Sequence, residues 1–180
     1  MLRVISGSFR GLKLESLPGD DTRPTLDRVK EALFSMLFGH TCDASALDLF
    51  AGSGALGIEL MSRGGKDCVF VDSSPDAIKV IGANVARARI ADKVSIVREN
   101  ALSYIQRTDR KFDIIFLDPP YASGLYRNVL DIIGKRQLLN PGGLVVCECS
   151  NDGSFACPDG YIALKDKSYG KVRLLVLEEA

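Results

Sequence analysis

The sequence predicts an α/β domain, built on a mostly parallel β-sheet with helices on both faces and preceded by an N-terminal arm. Three observations lead to this class. From residue 46 onward, short apolar runs alternate with segments of helical periodicity about ten residues long, which is the pattern of βαβ units. A glycine-rich turn joins the first run to the first such helix. The chain of 180 residues is 46% hydrophobic and shows no repeat or second composition regime, so one packed domain is expected.

The N-terminal arm and its linker are predicted over residues 1–24. The first 16 residues alternate loosely between apolar and polar side chains, and Gly7 and Gly11 interrupt the run, which indicates a short β-hairpin. Thr25 then has the side chain of a helix N-cap, and apolar residues follow at helical spacing as far as Gly39. Residues 25–180 are expected to form the core of the domain, which begins with this helix.

Strands and helices alternate through the core. The apolar runs predict strands at residues 46–50, 68–71, 94–97, 112–117, 144–149, 161–164 and 172–177. Helices are predicted from the glycine turn to Arg63, from the capping pair Ser74-Pro75 onward, at residues 101–107 and through residues 129–133. The residues 140–143, Asn-Pro-Gly-Gly, are predicted to be a turn into the next strand.

Composition excludes several classes of function. The net charge is zero, so bulk charge does not favour a polyanion, although residues 1–30 hold six Lys or Arg against four acids, a balance of +2. Five cysteines without a C-x-x-C pair, together with a single histidine, predict no metal site. No apolar run approaches the roughly 20 residues of a membrane span, and the N-terminus lacks the layout of a signal peptide. The expected location is the cytoplasm, with no membrane partner.

The glycine loop indicates a cofactor that contains adenosine. Gly52-Ser53-Gly54-Ala55-Leu56-Gly57 is a G-x-G-x-x-G segment between a predicted strand and a predicted helix. Its glycines allow a tight turn and let a ligand approach the backbone at a helix N-terminus. Asp72 follows Gly52 by 20 positions, at the end of the next strand, where a carboxylate can accept hydrogen bonds from both hydroxyls of a ribose. An NAD enzyme would show the same arrangement, so the loop alone does not decide between cofactors.

Asp48 favours a cofactor that carries a positive charge. It lies just before the loop, on a strand whose other residues are apolar. An ionised carboxylate there would repel a dinucleotide pyrophosphate, but it suits the ammonium group in the methionine part of S-adenosylmethionine. The alternative is a structural carboxylate that caps the turn by accepting hydrogen bonds from backbone N–H groups.

The segment Asp118-Pro119-Pro120-Tyr121 predicts the site of chemistry. It ends the fourth predicted strand, at the edge where open α/β sheets bind ligands. Proline fixes φ and has no N–H, so Asp118 and the Pro119 carbonyl can form a rigid pair of acceptors. Such a pair would hold the hydrogens of an aromatic amine and stabilise the positive charge that develops as the amine attacks a methyl group. Tyr121 offers a ring for an unstacked base, and the alternative is a proline-rich turn with a tyrosine that only packs.

Several segments resemble the motifs of class I methyltransferases. Residues 47–57 look like motif I, Val71-Asp72 like motif II, Asn100-Ala101 like motif III and residues 118–121 like the motif IV of amino-methyltransferases. At the N-terminus, Arg3-Val4-Ile5-Ser6-Gly7-x-x-Arg10-Gly11 and residues 22–34 are similar to the bacterial 16S rRNA (guanine-N2)-methyltransferase family of the RsmD type. The resemblance covers nearly the whole chain. Its central motifs are generic to class I enzymes, whereas the two N-terminal segments are specific to the family.

The resemblance implies a Rossmann-like class I methyltransferase fold with a seven-stranded sheet, S-adenosylmethionine as methyl donor and a guanine of 16S rRNA as acceptor. It assigns the guanine amine and ring to the catalytic residues Asp118, Pro119, Pro120 and Tyr121. The cofactor residues that it implies are Arg23, Thr25, Asp48, Phe50, Ala51, Gly52, Ser53, Gly54, Asp72, Ser73, Asn100 and Ala101. Besides Tyr121, the substrate-binding candidates are Arg10, Lys13 and Arg28, which would contact RNA phosphates. The expected partner is 16S rRNA or an assembly particle of the small ribosomal subunit, with the protein acting as a monomer.

Three other functions are compatible with parts of the sequence. A DNA adenine-N6 methyltransferase would share residues 118–121 and their chemistry, but such enzymes usually need added sequence to read a DNA site. An NAD-dependent oxidoreductase is allowed by the glycine loop but gives no reason for that tetrapeptide. A non-catalytic RNA-binding module could retain the fold.

Overall fold

A computed structural model describes the backbone of residues 2–18, 24–119 and 124–180, and the side chains of all of these except residues 24–26. A seven-stranded sheet lies at its centre, in the order β3-β2-β1-β4-β5-β7-β6. The strands are β1 (Ser45–Asp48), β2 (Asp67–Asp72), β3 (Val94–Arg98), β4 (Phe112–Leu117), β5 (Leu139–Ser150), β6 (Tyr161–Tyr169) and β7 (Val172–Glu179). The helices in these residues are α1 (Pro24–Met36), α2 (Ala55–Ser62), α3 (Pro75–Ala88), α4 (Ala101–Arg107) and α5 (Leu125–Arg136).

Parallel pairing dominates the sheet. β1 pairs in parallel with β2 on one side and with β4 on the other, and β3 and β5 extend the sheet outward. β7 lies between β5 and β6 and is antiparallel to both. The predicted seven-stranded, mostly parallel sheet is therefore confirmed. The antiparallel β7 also distinguishes this order from the 3-2-1-4-5-6 order of dinucleotide-binding folds.

Two apolar clusters cover the two faces of the sheet, because successive residues of a strand point to opposite faces. Phe70 and Phe116 pack in one cluster with side chains of α1, α2 and α3. Their neighbours Val71 and Leu117 pack in the other with side chains of α4 and α5. The helix that follows β1 therefore covers one face, and the helix that follows β4 covers the other. The boundary between β1 and β4 is the topological switch point, where open α/β sheets bind ligands.

Four elements differ in extent from the hydrophobic pattern. β5 begins at Leu139, because the predicted turn at residues 140–143 is a bulge: Phe112 pairs with Leu139, and Ile114 with Leu144. β6 continues to Tyr169, since its exposed polar residues pair with β7 through backbone bonds that need no apolar side chains. α5 likewise extends at both ends beyond residues 129–133. In contrast, α1 ends at Met36 rather than near Gly39, and a turn follows it.

The N-terminal arm, residues 2–18, folds back on itself as predicted, with an isolated antiparallel bridge between Arg3 and Lys13. The Val4 N–H donates to the Leu12 carbonyl over 2.9 Å, and the side chains of Val4 and Leu14 are buried against the layer of α1, α2 and α3. The arm is thus packed against the layer of α1, α2 and α3 on one face of the sheet.

None of the described helices is long and apolar enough to cross a bilayer. Within residues 2–18, 24–119 and 124–180, no three His, Cys, Asp or Glu side chains are grouped as a metal would require. The absence of a metal site stays a prediction for the whole chain.

Candidate active site

The carboxyl ends of four parallel strands are joined by backbone hydrogen bonds into one continuous edge. The Leu49 N–H donates to the Phe116 carbonyl over 3.2 Å, which joins the end of β1 to the end of β4. The Ala51 N–H donates to the Val71 carbonyl over 3.1 Å, and the Glu99 N–H to the Asp72 carbonyl over 3.0 Å. These bonds bring together the glycine loop after β1, the acid at the end of β2, the start of α4 and the Asp-Pro segment after β4.

The glycine loop has the backbone geometry that its sequence predicts. Gly52 and Gly54 have φ values of +53° and +77°, in the left-handed region that favours glycine. Gly54 is the N-cap of α2, and a side chain there would approach the Phe70 ring. A Cβ on Gly57 would lie only 2.4 Å from Cε1 of Phe70, so this glycine allows α2 to pack closely against β2.

Asp72 fixes the loop while remaining at the edge of the sheet. Its carboxylate accepts from the Gly52 N–H over 2.9 Å and from the Ser74 N–H over 2.8 Å, one bond to each oxygen. Each carboxylate oxygen can accept a second hydrogen bond, so the half-buried group retains acceptor capacity for two hydroxyls. Ser73 lies between Asp72 and the N-cap of α3, Ser74, whose hydroxyl accepts from the Ala77 N–H.

Asp48 is buried at the start of the same loop. One oxygen accepts from the Gly57 N–H over 3.0 Å, which is the contact expected of a carboxylate that caps the turn. Burial raises the pKa of this carboxyl group to about 7, the Gly57 hydrogen bond opposes the rise, and the negative charge of Asp72 adds to it. The group is therefore poised to ionise when a cation is placed beside it. Its ammonium contact stays a prediction.

The remaining predicted cofactor residues line the same edge. Asn100 is the N-cap of α4, and its side-chain oxygen accepts from the Leu102 N–H over 2.9 Å and the Ser103 N–H over 3.3 Å. Ala101 begins that helix and is largely buried, whereas Phe50 is partly exposed next to the loop. Asn100 therefore has a structural role that the motif alone did not reveal.

The segment predicted to carry the chemistry begins where β4 ends. Asp118 is exposed and Pro119 is buried, immediately after the strand that adjoins β1. Pro120 and Tyr121 lie outside the described residues, and so does Arg23, while Thr25 is described by its backbone alone, in the first turn of α1. The roles predicted for these four residues stay predictions.

The edge has the features that an adenosine-containing sulfonium cofactor requires. Asp72 can accept from ribose hydroxyls, Gly52 has open space where a side chain would stand, and Asp48 can compensate a cation. The residues at this edge thus fit S-adenosylmethionine. The Asp48 carboxylate suits the positively charged methionine end of that cofactor better than it would suit a negatively charged pyrophosphate.

The three basic candidates for RNA contacts are all exposed, but they lie on two different elements. Arg10 and Lys13 belong to the arm, and Arg28 belongs to α1. The arm and α1 are joined by an ion pair between Arg3 and Asp27 at 2.9 Å. The three basic side chains therefore lie on two elements that are bonded to each other, rather than on a free tail.

Buried polar residues that sequence reasoning missed hold the arm in place. The Glu59 carboxylate accepts from the Ile5 N–H over 2.8 Å and the Ser6 N–H over 3.0 Å, and it pairs with Lys30 at 3.2 Å. Asn84 accepts from the Glu15 N–H over 2.7 Å and donates both to the Glu15 carbonyl and to the Ser53 carbonyl of the glycine loop. A polar residue on an apolar helix face was the signal that could have identified both Glu59 and Asn84.

Comparisons with known proteins agree with this geometry. The family described as "Conserved hypothetical protein 95" matches residues 2–178. The chain is 40% identical to "Putative rRNA methyltransferase YlbH" of Bacillus subtilis over 150 residues, which is 82% of each chain. It is 31% identical to "Ribosomal RNA small subunit methyltransferase D" of Haemophilus influenzae over 174 residues, covering 95% of this chain and 90% of that one. The solved structure "Putative methyltransferase yhhF from Escherichia coli" superposes with a TM-score of 0.88 at 30% identity, over 99% and 97% of the two chains.

Proposed function

The chain belongs to the Conserved hypothetical protein 95 family, the RsmD type that its motifs resemble, and on this premise we propose that it methylates the N2 amine of a guanine in small-subunit rRNA with S-adenosylmethionine as donor. The coarser part of this function, an rRNA methyltransferase, is supported by the names of the relatives. The finer part depends on the site.

The observation that carries the proposal is the position of Asp118 and Pro119 beside the glycine loop. β4 and β1 are neighbours, and the hydrogen bond from the Leu49 N–H to the Phe116 carbonyl joins their ends just before Asp118. A cofactor site and a pair of amine acceptors therefore occur on adjacent strands at the topological switch point. This arrangement supports transfer between a bound donor and an aromatic amine.

The chain contributes hydrogen-bond acceptors and positioning rather than a strong base. When bound, S-adenosylmethionine supplies an electrophilic methyl group on a sulfonium sulfur. The Asp118 carboxylate and the Pro119 carbonyl would accept hydrogen bonds from the guanine amine, which would stabilise positive charge on its nitrogen as the nitrogen–methyl bond forms and the sulfur–methyl bond breaks. Holding the amine in line with the methyl group supplies a further part of the acceleration. The amine then loses one proton to water.

The donor would be held by residues from three loops. Asp72 accepts hydrogen bonds from the ribose, the backbone of residues 51–54 lies against the methionine end, and Asp48 ionises beside its ammonium group. Asn100 and Ala101 border the adenine. The predicted closure of Arg23 and Thr25 over the cofactor belongs to the same proposal.

The partner would be 16S rRNA, either naked or in an assembly particle of the small subunit, and the protein would act as a monomer in the cytoplasm. Arg10, Lys13 and Arg28 are the proposed phosphate contacts. Their exposure supports this role, and two of them, Arg10 and Lys13, belong to the docked arm.

The DNA adenine-N6 alternative shares the tetrapeptide, so the acceptor must be tested directly. Protein and tritium-labelled S-adenosylmethionine are incubated with small-subunit rRNA or with duplex DNA, and the modified nucleosides are identified by mass spectrometry. Label in rRNA as N2-methylguanosine is expected. Label in DNA as N6-methyladenine would instead support the alternative.

Two variants separate chemistry from donor binding. Asp118→Ala should reduce turnover at least a hundredfold, since one charged acceptor of the amine is removed, with little change in donor affinity. Asp72→Ala should weaken donor binding measured by calorimetry. Near-normal turnover of Asp118→Ala on rRNA would show that the carboxylate does not have the proposed role.

A further inference from the structure

A groove lies between the arm and the carboxyl end of α3. Its volume is about 450 Å³, and its lining residues are Ser8, Phe9, Arg10, Leu12, Arg87, Ala88 and Arg89. Three of these seven residues are arginines and none is acidic. Because the chain as a whole has zero net charge, this is a local concentration of positive charge.

Direct bonds hold the arm, which forms one wall of the groove, to α2 and to α3. The Ser8 N–H donates to the Ser62 carbonyl over 2.7 Å, and the Phe9 N–H to the Ser62 hydroxyl over 2.9 Å. From the other wall, the Arg87 guanidinium donates to the Lys13 carbonyl over 3.0 Å and pairs with Glu15 at 2.8 Å. The groove is therefore a fixed feature of the docked arm.

Two of the three arginines retain their charge uncompensated. Arg87 is paired with Glu15, but in the part of the chain that the structure describes neither Arg10 nor Arg89 has an ion-pair partner. Arg89 occupies the C-cap of α3 with a φ of +56°, a position that glycine adopts more easily. An arginine is thus kept where helix termination alone would favour glycine.

We propose that this groove binds the phosphodiester backbone of rRNA at a distance from the methylated guanine, an inference that rests on the proposed function. The planar guanidinium forks of Arg10 and Arg89 match phosphate oxygens. Phe9, which is half-buried and also lines the groove, offers an aromatic surface to a sugar or base. An arginine fork on each wall together with an aromatic ring in the lining suits a phosphodiester strand better than scattered carboxylates of an acidic protein.

The length of α3 sets the reach of the RNA. The helix starts just after Asp72, at the cofactor edge, and its 14 residues end at the groove, so the groove lies roughly 20 Å from Asp72 at ~1.5 Å per residue. The RNA must extend over a comparable distance from its target guanine to fill the groove. Rigid docking of the arm means that this distance does not adjust to a shorter RNA.

The test measures RNA affinity against salt concentration for Arg10→Gln and Arg89→Gly. With in vitro transcribed small-subunit rRNA as the probe, each variant should bind about fivefold more weakly, and the slope of log K against log salt should fall by about 0.7–0.9 for each phosphate that the protein no longer neutralises. Arg89→Gly should unfold at the same temperature as the wild type or higher, because glycine relieves the left-handed backbone at the C-cap. Affinity for S-adenosylhomocysteine should not change.

The control variants match these changes elsewhere. Lys135→Gln removes one exposed charge from the last turn of α5, on the other face of the sheet, and Gln137→Gly makes the same C-cap change at a φ of +52°. Both should keep wild-type RNA affinity and salt slope. An RNA fragment that ends at the mapped guanine, and so does not reach the groove, should bind wild type and Arg89→Gly equally.

The outcomes separate this inference from the proposed function. If wild type methylates rRNA while Arg10→Gln and Arg89→Gly keep its affinity and salt slope, the groove does not bind RNA. If the variants lose affinity only for assembled subunit particles and not for naked rRNA, the groove binds an acidic protein, and the phosphate assignment is wrong. If wild type binds rRNA with the expected slope but transfers no methyl group, the proposed function fails while the groove stands.

Discussion

The N-terminal arm and the C-terminal hairpin of β6 and β7 both add antiparallel backbone to a parallel core, but different interactions hold them. Buried side chains of the core bond to the backbone of the arm, as Glu59, Ser62 and Asn84 each do. The hairpin is instead held by two backbone ladders, β5 with β7 and β7 with β6, the second with a register shift between Ala163 and Lys165. Its ion pair between Arg173 and Asp166 lies near the surface.

The difference indicates where single substitutions should matter. A ladder distributes stability over many equivalent backbone bonds, so no one exposed polar side chain of the hairpin is decisive, although the apolar side chains of β7 are buried in the core. The arm depends on a few buried polar groups, each of which costs free energy if it is left without its partner. The arm should therefore be sensitive to single substitutions of these polar groups. The hairpin should tolerate the corresponding substitutions of its own polar side chains.

Removal of a carboxylate from each region is the strongest test of this comparison. Glu59→Ala should lower the free energy of unfolding by about 3–5 kcal/mol, because it leaves the buried Lys30 ammonium and two backbone N–H groups without their partner. Asp166→Ala removes a carboxylate that is 45% exposed, so its effect should stay below about 1 kcal/mol. Urea unfolding measures both values.

A second variant, at Lys30, tests whether the destabilisation by Glu59→Ala comes from a buried ammonium group that has lost its carboxylate. Burial lowers the pKa of this lysine, and the charge and hydrogen bond of Glu59 oppose the shift. Lys30→Met together with Glu59→Ala should recover part of the stability, since the buried ammonium is then absent and only the partly exposed Arg63 guanidinium still lacks the carboxylate. Equal destabilisation by Glu59→Ala and Asp166→Ala would remove the basis of the comparison.

Two glycines with positive φ give a second matched pair. A Cβ on Gly7 would lie 1.9 Å from the Ser62 carbonyl oxygen, whereas a Cβ on Gly170, in the turn between β6 and β7, meets no atom within 4 Å. Both Ala substitutions carry the left-handed cost of about 1–2 kcal/mol. Gly7→Ala should destabilise by about 1–3 kcal/mol more, because the arm must move away from α2. A similar effect of the two variants in thermal unfolding would mean that the arm moves away from α2 without a loss of stability.

The sequence predicted the sheet well because its signals are local. Apolar runs bounded by glycine turns located β4 at its observed bounds and β1, β2, β3 and β7 within two residues of theirs, and alternation of strands with helices predicted the parallel core. The glycine loop and Asp72 were likewise recognisable, since the backbone conformation at Gly52 and the position of an acid 20 residues later are properties of short segments.

The anchoring of the arm could not be predicted in the same way. Glu59 and Ile5 are 54 positions apart, and Asn84 and Glu15 are 69 apart, so nothing in either local segment indicates its partner. The end of β6 was missed for a related reason, because backbone pairing with β7 replaces the apolar pattern. Long-range polar contacts and edge pairing depend on the assembled fold.

Asp48 is a second buried carboxylate near α2, and among the residues that the structure describes it has no cationic partner such as Glu59 has in Lys30. Its raised pKa of about 7 means that the folded protein binds a proton there below pH 7. If the ionised form holds the ammonium group of the cofactor, affinity for S-adenosylhomocysteine should fall roughly tenfold from pH 8 to pH 6. Asp48→Asn, which can still accept from the Gly57 N–H, should bind weakly at both pH values.

Calorimetry over this pH range also tests the alternative role of Asp48. The other charged group that acts on the carboxyl is Asp72, whose negative charge raises the pKa further. A carboxyl group that only caps the turn would give the same pH profile for wild type and Asp48→Asn. That result would leave the ammonium of the cofactor without a partner at this position.

The smallest expected effect concerns the connection between arm and glycine loop. Asn84 is fully buried and donates to the Ser53 carbonyl over 2.9 Å while also bonding to the Glu15 backbone, so one side chain links the arm to the cofactor loop. Asn84→Ala should weaken S-adenosylhomocysteine binding by about three- to fivefold, equivalent to removal of one hydrogen bond. Asn151→Ala removes a bond of 3.0 Å to the Gly170 carbonyl in the hairpin and should leave affinity unchanged. Hydrogen exchange of the Glu15 amide in the wild type is an independent measurement. We expect slower exchange when S-adenosylhomocysteine is bound. An unchanged exchange rate, together with unchanged affinity of Asn84→Ala, would show that the arm and the loop act separately.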